Sequence, residues 1–375
     1  MKKIILRLWS FFISKFPLKN IILFESSPSY ADNTRAVFNE LLKRGINEKY
    51  KLVWVTYNGE ALPPEIAVKN VFTVKRSAGI YKHYFIFAAK HLICCNEFLP
   101  KTRKNQQYYY LSHGCALKNV VGKYYAPDDI DSGDFFTLSR FFIEPDSKNL
   151  CVNSGFYKAL GFPRNDMLFK KIDISALFPD KTFSKAVYWM PTFRKHKFGA
   201  SFSNISFPVI HGEETARKIN ECAAKNGVLI IVKPHPAQDV SKIEEYNLSN
   251  LVFINDDFLK LRGVDNYSLL GSCDALLTDY SSVYYDFLLC DKPIGLCWED
   301  FEEYKRLEGF AIDTDTVMAG GEKIYTPSEL CSFIEKTARG EDELSKERQR
   351  VASFVHDFKD NNSAKRLADY IINKL

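Results

Sequence analysis

The chain has 375 residues, of which 46% are apolar and 26% charged, and its composition excludes a disordered or fibrous protein. The formal net charge of +5 is too small to indicate a nucleic-acid partner, although it suits an anionic substrate or an anionic lipid surface. Nine scattered cysteines without metal-ligand spacing indicate reduced thiols and a cytosolic protein. The length predicts two or three folded domains.

Residues 1–18 combine basic and apolar side chains. Arg7 interrupts the apolar run, no small-residue cleavage site follows, and a bilayer span would need about 20 apolar residues. The segment therefore predicts either an amphipathic helix on the inner face of the cell membrane or a first helix packed on the protein's own body. Both interpretations remain open.

Short apolar runs then alternate with helix-periodic segments, which is typical of parallel sheets covered by helices. The predicted strands are 21–25, 52–56, 91–95, 108–112, 187–190, 228–232, 251–255, 275–278 and 294–297. The predicted helices are 34–44, 78–90, 213–226 and 283–290.

The irregular polar segment 173–185 separates two series of strands. We expect two doubly wound, Rossmann-like α/β domains, residues 1–172 and 173–343, that face a central cleft and bind ligands at the carboxyl ends of their strands. The charged, helix-periodic segment 344–375 is expected to pack back on the first domain.

Polar motifs follow four of the predicted strands, beginning with His113. This histidine lies in Ser112-His113-Gly114, where the glycine allows a tight turn and close backbone approach. Because the reference pKa of histidine lies near neutrality, His113 is a candidate general base. A hydrogen-bonded turn histidine is the alternative.

Arg194 and His235 end two further strand motifs. Arg194 closes Pro191-Thr192-Phe193-Arg194, and its planar guanidinium suits a phosphate group. His235 lies between two prolines that hold the backbone rigid, so its imidazole can donate to a phosphate oxygen. A solvated arginine and a structural histidine are the alternatives.

The fourth motif is Thr278-Asp279-Tyr280-Ser281-Ser282, directly before the helical segment 283–290. Ser281 or Ser282 is predicted to cap that helix, whose free N–H groups and positive end would suit a phosphate. An ordinary helix cap is the alternative. With the other three motifs, this stretch predicts a polyphosphate site built from protein groups.

Several common motifs are absent from the sequence. It contains no Gly-x-Gly-x-x-Gly, no P-loop, no strand-end Asp-x-Asp pair and no Gly-x-Ser-x-Gly. We therefore expect neither a metal ion nor a cofactor.

These motifs, in this order, resemble those of the CDP-glycerol glycerophosphotransferase family, the teichoic-acid and capsule polyol-phosphate transferases. The resemblance extends over most of the chain, and its individual motifs are weak although the ordered set is specific. The matching segments are Ser29-Tyr30-Ala31-Asp32-Asn33-Thr34-Arg35, Ser112-His113-Gly114-Cys115-Ala116-Leu117-Lys118, Gly161-Phe162-Pro163-Arg164-Asn165-Asp166, Pro191-Thr192-Phe193-Arg194, His235-Pro236 and Thr278-Asp279-Tyr280-Ser281-Ser282.

The resemblance implies a GT-B-like fold and a reaction without a catalytic metal. A hydroxyl of a lipid-linked glycan or of a growing teichoic-acid-like or capsular polymer would attack the polyol-bound phosphorus of CDP-glycerol or CDP-ribitol, and CMP would leave. Cationic side chains and helix N–H groups would stabilise the phosphate charge. The implied location is cytoplasmic, peripheral on the inner face of the membrane, with no nucleic-acid partner.

The resemblance also implies residue roles. His113 and His235 match catalytic positions, and Gly114 and Lys118 match the acceptor side. The donor-phosphate positions are Arg194, His235, Thr278, Ser281 and Ser282.

Other positions have a second interpretation. Asp279 is expected to orient its loop, and the Asn165-Asp166 turn is either functional or structural, with Arg164 pairing locally. Glu299, Asp300 and Glu302 are candidates for contacts with the ribose.

Three residues near His113 depart from the family pattern. Ser112, Cys115 and Ala116 replace the family's Trp, Thr and Pro, which puts the identity of the acceptor or polyol in doubt. Two other functions therefore remain open: a GT-B glycosyltransferase that uses a nucleotide sugar, and a catalytically silent partner of a glycan-assembly complex.

Overall fold

The structure is a computed structural model that describes residues 16–121, 133–192, 207–235, 238 and 240–375. The predicted amphipathic segment lies almost entirely outside these residues. Within them the chain forms two compact units. The first unit is the described part of Met1–Cys115, Val121–Asp166 and Asp360–Leu375, and the second is the described part of Ala116–Val120 and Met167–Lys359.

The described residues of the first unit form a parallel sheet of seven strands in the order β3-β2-β1-β4-β5-β6-β7. Its strands are β1 (Lys19–Glu25), β2 (Lys51–Thr56), β3 (Val71–Lys75), β4 (Ala89–Cys94), β5 (Gln107–Tyr110), β6 (Asp134–Thr137) and β7 (Tyr157–Ala159).

Helices of the first unit cover this sheet. They are α1 (Asp32–Lys43), α2 (Ile80–Ala88), α3 (Ile143–Leu150) and, from the C-terminus of the chain, α13 (Ser363–Ile372). The rings of Phe24, Phe38 and Trp54 lie 5.1 to 5.4 Å apart in the core. Leu367 and Ile371 of α13 belong to the same buried cluster, so the C-terminal helix completes the core of the first unit.

The described residues of the second unit form a parallel sheet of six strands in the order β10-β9-β8-β11-β12-β13. Its strands are β8 (Lys185–Trp189), β9 (Val228–Val232), β10 (Leu251–Phe253), β11 (Ala275–Thr278), β12 (Ile294–Cys297) and β13 (Glu322–Ile324). Every residue of β9 is fully buried, as expected for a central strand covered on both faces.

The helices of the second unit vary widely in length. They are α4 (Glu213–Lys225), α5 (Ser241–Glu244), α6 (Asp256–Leu261), α7 (Asn266–Ser272), α8 (Val283–Phe287), α9 (Phe301–Leu307), α10 (Thr314–Val317), α11 (Pro327–Arg339) and α12 (Ser345–Val355).

The two doubly wound sheets confirm the predicted α/β class. All nine predicted strands are present, and β3, β6, β7 and β13 were not predicted. The nine cysteines are free thiols, as expected. In the described part of the chain, no helix has the length and apolar character needed to cross a bilayer.

The unit boundaries differ from the predicted domains. The main division falls between Asp166 and Met167 rather than at 172/173, and the second unit extends to Lys359. Of the segment predicted to pack on the first domain, only the part from Asp360 onward belongs to the first unit. The preceding helix α12 stays with the second unit, where its buried Arg348 hydrogen bonds to Asp342.

Gly271, in α7, lies close to the backbone of Leu168. A Cβ atom at this position would lie 2.1 Å from the carbonyl oxygen of Leu168 and 2.7 Å from its carbonyl carbon. Since backbone atoms cannot turn aside as a side chain can, any larger residue must displace either α7 or the chain at Leu168.

We expect Gly271→Ala to lower the free energy of unfolding by about 2 kcal/mol or more because of this overlap. The control is Gly212→Ala, where an added Cβ meets nothing within 4 Å and the backbone is extended. The control should change stability by less than about 0.5 kcal/mol. Chemical denaturation of both variants measures the difference, and equal stabilities would contradict the steric explanation.

Candidate active site

His113 lies in a tight turn that follows β5 at the carboxyl edge of the first sheet. Ser112 adopts a left-handed backbone conformation with φ +57°, and its hydroxyl donates to the carbonyl of Gly114 at 2.9 Å. This turn leaves 65% of the His113 side chain exposed. The imidazole is therefore accessible while its backbone is held.

Asp32 holds the imidazole of His113. Its Oδ2 atom lies 2.5 Å from Nδ1 of His113, and its Oδ1 atom accepts a hydrogen bond of 2.9 Å from Arg164 Nη1. Asp32 begins α1 in a left-handed conformation with φ +62° and also accepts the N–H of Asn33 at 2.7 Å. One carboxylate thus joins the ends of three separate segments of the first unit.

Arg164 and Asn33 complete this arrangement. The Arg164 guanidinium, 6% exposed, also donates to the carbonyl oxygen of His113 at 2.5 Å. The Asn33 side chain donates to the carbonyl of Ser112 at 2.8 Å and accepts the N–H of Arg164 at 3.1 Å. Both the ring and the backbone of His113 are therefore fixed by buried groups.

The charges in this group favour an ionised Asp32. Burial alone would raise the pKa of Asp32, but the Arg164 guanidinium, the His113 imidazole and the Asn33 N–H together hold it well below its usual value. An ionised Asp32 accepts the Nδ1–H of His113. The Nε2 atom of a neutral imidazole is then left as a proton acceptor, which is the arrangement of a general base.

The sequence predicted no role for Asp32, and it left the role of Arg164 open. Both lie in segments that carried the family resemblance, but 132 residues separate them. Local pairing was one of two interpretations for Arg164. Its guanidinium lies 5.3 Å from the centre of the Phe162 ring and also forms a long-range ion pair with Asp32. The adjacent Asp166 has a structural contact, since its carboxylate accepts the N–H groups of Ser363 and Ala364 at the start of α13.

Lys118, a candidate residue for the acceptor side, belongs to the second unit. Residue 118 forms an antiparallel bridge with Phe310, and the carbonyl of Leu117 accepts the N–H of Ala311 at 2.9 Å. The Lys118 ammonium lies 5.6 Å from the centre of the Tyr304 ring and 3.5 Å from Thr192 Oγ1. These backbone contacts position Lys118 beside the loop that follows β8.

Asp279 orients two loops of the second unit, as expected. Both of its carboxylate oxygens lie 3.0 Å from the N–H of Thr192, and Oδ1 also accepts the N–H of Tyr280 at 2.6 Å. The side chain is fully buried. Asp279 therefore ties the loop after β8 to the loop after β11.

Thr278, a predicted donor-phosphate residue, has its hydroxyl engaged within the protein. Thr278 is fully buried, and its hydroxyl donates to the carbonyl of Met190 at 2.9 Å. This hydrogen bond joins the ends of the adjacent strands β8 and β11. The hydroxyl thus has a structural partner and no solvent-accessible face.

Ser282 lies at the N-cap position of the helix after β11, as predicted, but its side chain makes no capping hydrogen bond. Helix α8 has only five residues, and Ser282 at its N-cap position has a helical backbone that does not bring its hydroxyl to the helix N–H groups. Ser281 Oγ accepts the N–H of Val283 in a long contact of 3.4 Å. Both serines remain partly exposed at the carboxyl end of β11.

His235 is exposed after β9, and its carbonyl accepts the N–H of Gln238 at 2.8 Å. Arg194 lies outside the described residues. Because β9, β8 and β11 are adjacent in the sheet, the loops that carry His235, Thr192 and Ser281 follow neighbouring strands at one edge. No cluster of three or more potential metal ligands occurs among the residues that the structure describes.

Two candidates for ribose contacts are engaged within the protein. Glu299 accepts the N–H of Val209 at 2.7 Å and pairs with the imidazole of His211. Asp300 accepts the hydroxyl of the buried Tyr280 at 2.8 Å. Their carboxylates therefore hold neighbouring segments of the second unit.

We expect Asp32→Asn to lower the free energy of unfolding by about 3 kcal/mol at pH 7, because it leaves the buried Arg164 cation without its anion. The depressed pKa of Asp32 makes its contribution present above the unfolded pKa of about 4 and lost as the pH falls further. The difference between variant and wild type should therefore shrink in acid. Chemical denaturation across pH measures it.

The matched control is Asp315→Asn. Asp315 pairs with Lys323 at 2.9 Å, but its side chain is 77% exposed. Its replacement should cost less than about 1 kcal/mol. If the two variants were equally stable at pH 7, Asp32 would not hold Arg164 as described.

Comparison with known proteins gives a consistent assignment over nearly the whole chain. The family model for CDP-glycerol:poly(glycerophosphate) glycerophosphotransferases matches residues 9–373. The chain is 24% identical to the teichoic acid poly(glycerol phosphate) polymerase of Bacillus spizizenii, over 91% of this chain and 88% of the relative. It is also 24% identical to the teichoic acid poly(ribitol-phosphate) polymerase of the same organism, over 95% of this chain but only 57% of that longer protein.

A solved structure of the wall teichoic acid polymerase TagF has a similar fold. Its TM-score is 0.73 at 19% sequence identity, with 99% of this chain and 95% of that chain covered. This likeness confirms the GT-B-like fold class with two Rossmann-like domains. The chain therefore belongs to the CDP-glycerol:poly(glycerophosphate) glycerophosphotransferase family, enzymes that transfer a polyol phosphate from a CDP-polyol.

Proposed function

We propose that His113 is the general base of this transfer. The observation that carries the proposal is the hydrogen bond between Asp32 and Nδ1 of His113, which leaves Nε2 free to accept a proton. Nε2 takes the proton of an acceptor hydroxyl as its oxygen forms a bond with the polyol-bound phosphorus. The bond from that phosphorus to the bridging oxygen breaks, and CMP leaves with the electron pair.

Asp32 acts on this step through His113. Its negative charge stabilises the imidazolium that forms when the proton is taken, and its hydrogen bond keeps the ring in one orientation. Arg164 in turn keeps Asp32 ionised and in place. Asp32 and Arg164 are positioning residues, because they act through His113.

The donor diphosphate is assigned to the second unit. Ser281 and Ser282 are partly exposed hydroxyls after β11, and His235 is exposed after β9, so they suit hydrogen bonds to phosphate oxygens. Arg194 is proposed as the guanidinium ligand of the same diphosphate. For Thr278 we propose an indirect role, because its hydroxyl donates to the carbonyl of Met190 and so positions the loop after β8.

The proposed substrates are those that the names of the relatives indicate. Poly(glycerol phosphate) and poly(ribitol-phosphate) polymerases both match this chain, so CDP-glycerol and CDP-ribitol are the donors to compare. The proposed acceptor is a hydroxyl of a lipid-linked glycan or of a growing teichoic-acid-like or capsular polymer. Because such an acceptor is attached to a lipid, the proposed location of the protein is the cytoplasm, at the inner face of the membrane.

A donor panel tests this function. We expect CMP release from CDP-glycerol or CDP-ribitol when a polyol-phosphate oligomer is supplied as acceptor. His113→Ala should lower the rate by about 10²-fold or more, the contribution of a general base, while its affinity for CDP stays within twofold of wild type. Arg194→Ala should instead weaken CDP binding, because it removes a charge-assisted phosphate contact.

The same panel includes nucleotide sugars. Turnover of a nucleotide sugar alone would make the protein a glycosyltransferase, and nucleotide binding without turnover of any donor would favour the silent partner. Loss of CDP affinity in His113→Ala, with normal affinity in Arg194→Ala, would reverse the proposed roles of the two residues. Calorimetry with CDP measures both affinities.

Membrane attachment is proposed for residues 1–18, whose sequence combines basic residues with apolar runs on both sides of Trp9. We expect the full chain to float with vesicles that contain anionic lipid and to lose most of this binding when residues 1–15 are removed. Vesicles of neutral lipid are the control, since they lack the charge that attracts lysine and arginine. Unchanged flotation of the shortened chain would refute the attachment.

A further inference from the structure

A second polar cluster lies at the carboxyl edge of the first sheet, outside the residues assigned above. Four of its residues lie at the ends of four adjacent strands. Arg76 follows β3, Tyr57 follows β2, Glu25 ends β1, and Glu97 lies three residues after β4. Lys82, in the first turn of α2, adds a second cation. We refer to Glu25, Tyr57, Arg76, Lys82 and Glu97 as the Arg76 cluster.

Hydrogen bonds hold the acidic half of this cluster in place. The hydroxyl oxygen of Tyr57 lies 2.9 Å from Glu25 Oε1 and 2.9 Å from Glu97 Oε1. The other carboxyl oxygen of Glu25 accepts the N–H of Glu97 at 3.1 Å. The ring of Tyr57 lies below the guanidinium of Arg76 at 4.9 Å, and Arg76 pairs with Glu97.

The number of protons in this network decides its charge. A tyrosine hydroxyl has one proton, so it cannot donate to two ionised carboxylates at once. Glu25 is 1% exposed, and its burial raises its pKa to about 7 in spite of the hydrogen bonds that it accepts. Protonated Glu25 can donate to Tyr57, which donates to ionised Glu97.

A neutral Glu25 leaves the cluster with one excess positive charge. Glu97 compensates Arg76, whereas Lys82 has no acidic partner among the described residues. Lys82 lies six residues after Arg76, in the first turn of α2, and burial together with the positive charge of Arg76 lowers its pKa. An anionic group brought to the cluster would relieve the repulsion between the two cations.

The exposed half of the cluster has unused hydrogen-bonding capacity. The side chains of Arg76 and Glu97 are 41% and 44% exposed. In the described part of the chain, Glu97 is the one hydrogen-bond partner of the Arg76 guanidinium, which has five N–H donors. Such an exposed ion pair adds little to stability, so stability does not account for the arrangement.

The loop after β1 connects this cluster to the proposed base. Residues 26–31 join Glu25 to Asp32, and the loop is fixed by hydrogen bonds from Ser27 N–H to Asn96 at 2.9 Å and from Tyr57 N–H to Ser29 at 3.3 Å. His113 follows the neighbouring strand β5. The cluster and the base therefore occupy the same edge of one sheet, where parallel α/β sheets bind ligands.

We propose that the Arg76 cluster binds the acceptor chain, with Arg76 and Lys82 contacting a phosphate group and Glu97 and Tyr57 contacting a polyol hydroxyl. A chain of polyol phosphates carries both groups at a regular spacing, which matches a site with cations and hydrogen-bond acceptors side by side. The inference rests on the proposed function, and it assigns to the first unit the recognition of the acceptor next to the base.

The test compares wild type with Arg76→Gln. The probe is a glycerol phosphate or ribitol phosphate oligomer, whose binding is measured by calorimetry and whose KM is measured from CMP release. We expect Arg76→Gln to raise the Kd and the KM for the oligomer by about tenfold to a hundredfold, as for loss of a charge-assisted hydrogen bond. The KM for the CDP-polyol donor should stay within twofold.

Two further variants support the interpretation. Arg76→Lys keeps the charge and should recover part of the oligomer affinity. Arg339→Gln breaks an exposed pair with Glu341 in the second unit and should change neither constant. Thermal unfolding of each variant identifies any loss of folded protein.

Two results would overturn the proposal: a wild-type protein that does not bind the oligomer, and an oligomer Kd in Arg76→Gln within twofold of wild type. A wild-type protein that binds the oligomer but turns over no CDP-polyol would instead contradict the proposed function. In that case the calorimetric comparison still decides whether Arg76 contacts the oligomer.

Discussion

The organisation of the candidate active site depends on the carboxylate of Asp32. This group lies between the Arg164 guanidinium and the His113 imidazole, and it accepts a hydrogen bond from each. An ionised carboxylate can remain buried only when such partners offset the loss of water, and Arg164 supplies that compensation. The ionised carboxylate fixes the orientation of the His113 ring and leaves its Nε2 atom as the proton acceptor.

The second unit also contains a buried carboxylate at the carboxyl edge of its sheet, and this one orients loops. The buried Asp279 accepts backbone N–H groups of Thr192 and Tyr280, and so it sets the relative positions of two loops that follow neighbouring strands. In both units a buried acid directs the loops at the carboxyl edge of a parallel sheet. The residues proposed to contact substrate, the exposed His113 and the partly exposed Ser281 and Ser282, lie on loops stabilised in this way.

The Arg76 cluster extends this principle. There the buried acid is Glu25, whose burial raises its pKa to about 7, so that a neutral form is accessible near neutral pH. Asp32 and Glu25 lie at opposite ends of the same loop, yet Asp32 is held ionised by Arg164 and His113 whereas Glu25 is not fully compensated. The difference in partners explains the opposite directions of their pKa shifts.

Much of the fold was predictable from the sequence. Buried central strands such as β9 are continuous apolar runs that need no tertiary information, and their alternation with helical segments predicted two parallel sheets. The strands that were missed include β3, β7 and β13, which lie at sheet edges. These three strands are partly exposed, so they lack the fully buried apolar run by which strands such as β9 were recognised, although β10, also at an edge, was predicted and the interior strand β6 was not.

By itself, the sequence determined the class of the two sheets, the family of the chain, and His113 as the candidate base, because these depend on local patterns and on the order of motifs. Only the tertiary structure decided which groups surround that base. Arg164 and Asp32 are 132 residues apart, and their contact depends on the packing of distant segments within the first unit. The structure likewise showed that the Thr278 hydroxyl donates to the carbonyl of Met190 and that Lys118 belongs to the second unit. Burial and hydrogen-bond partners depend on how the whole chain folds, so the sequence alone does not reveal them.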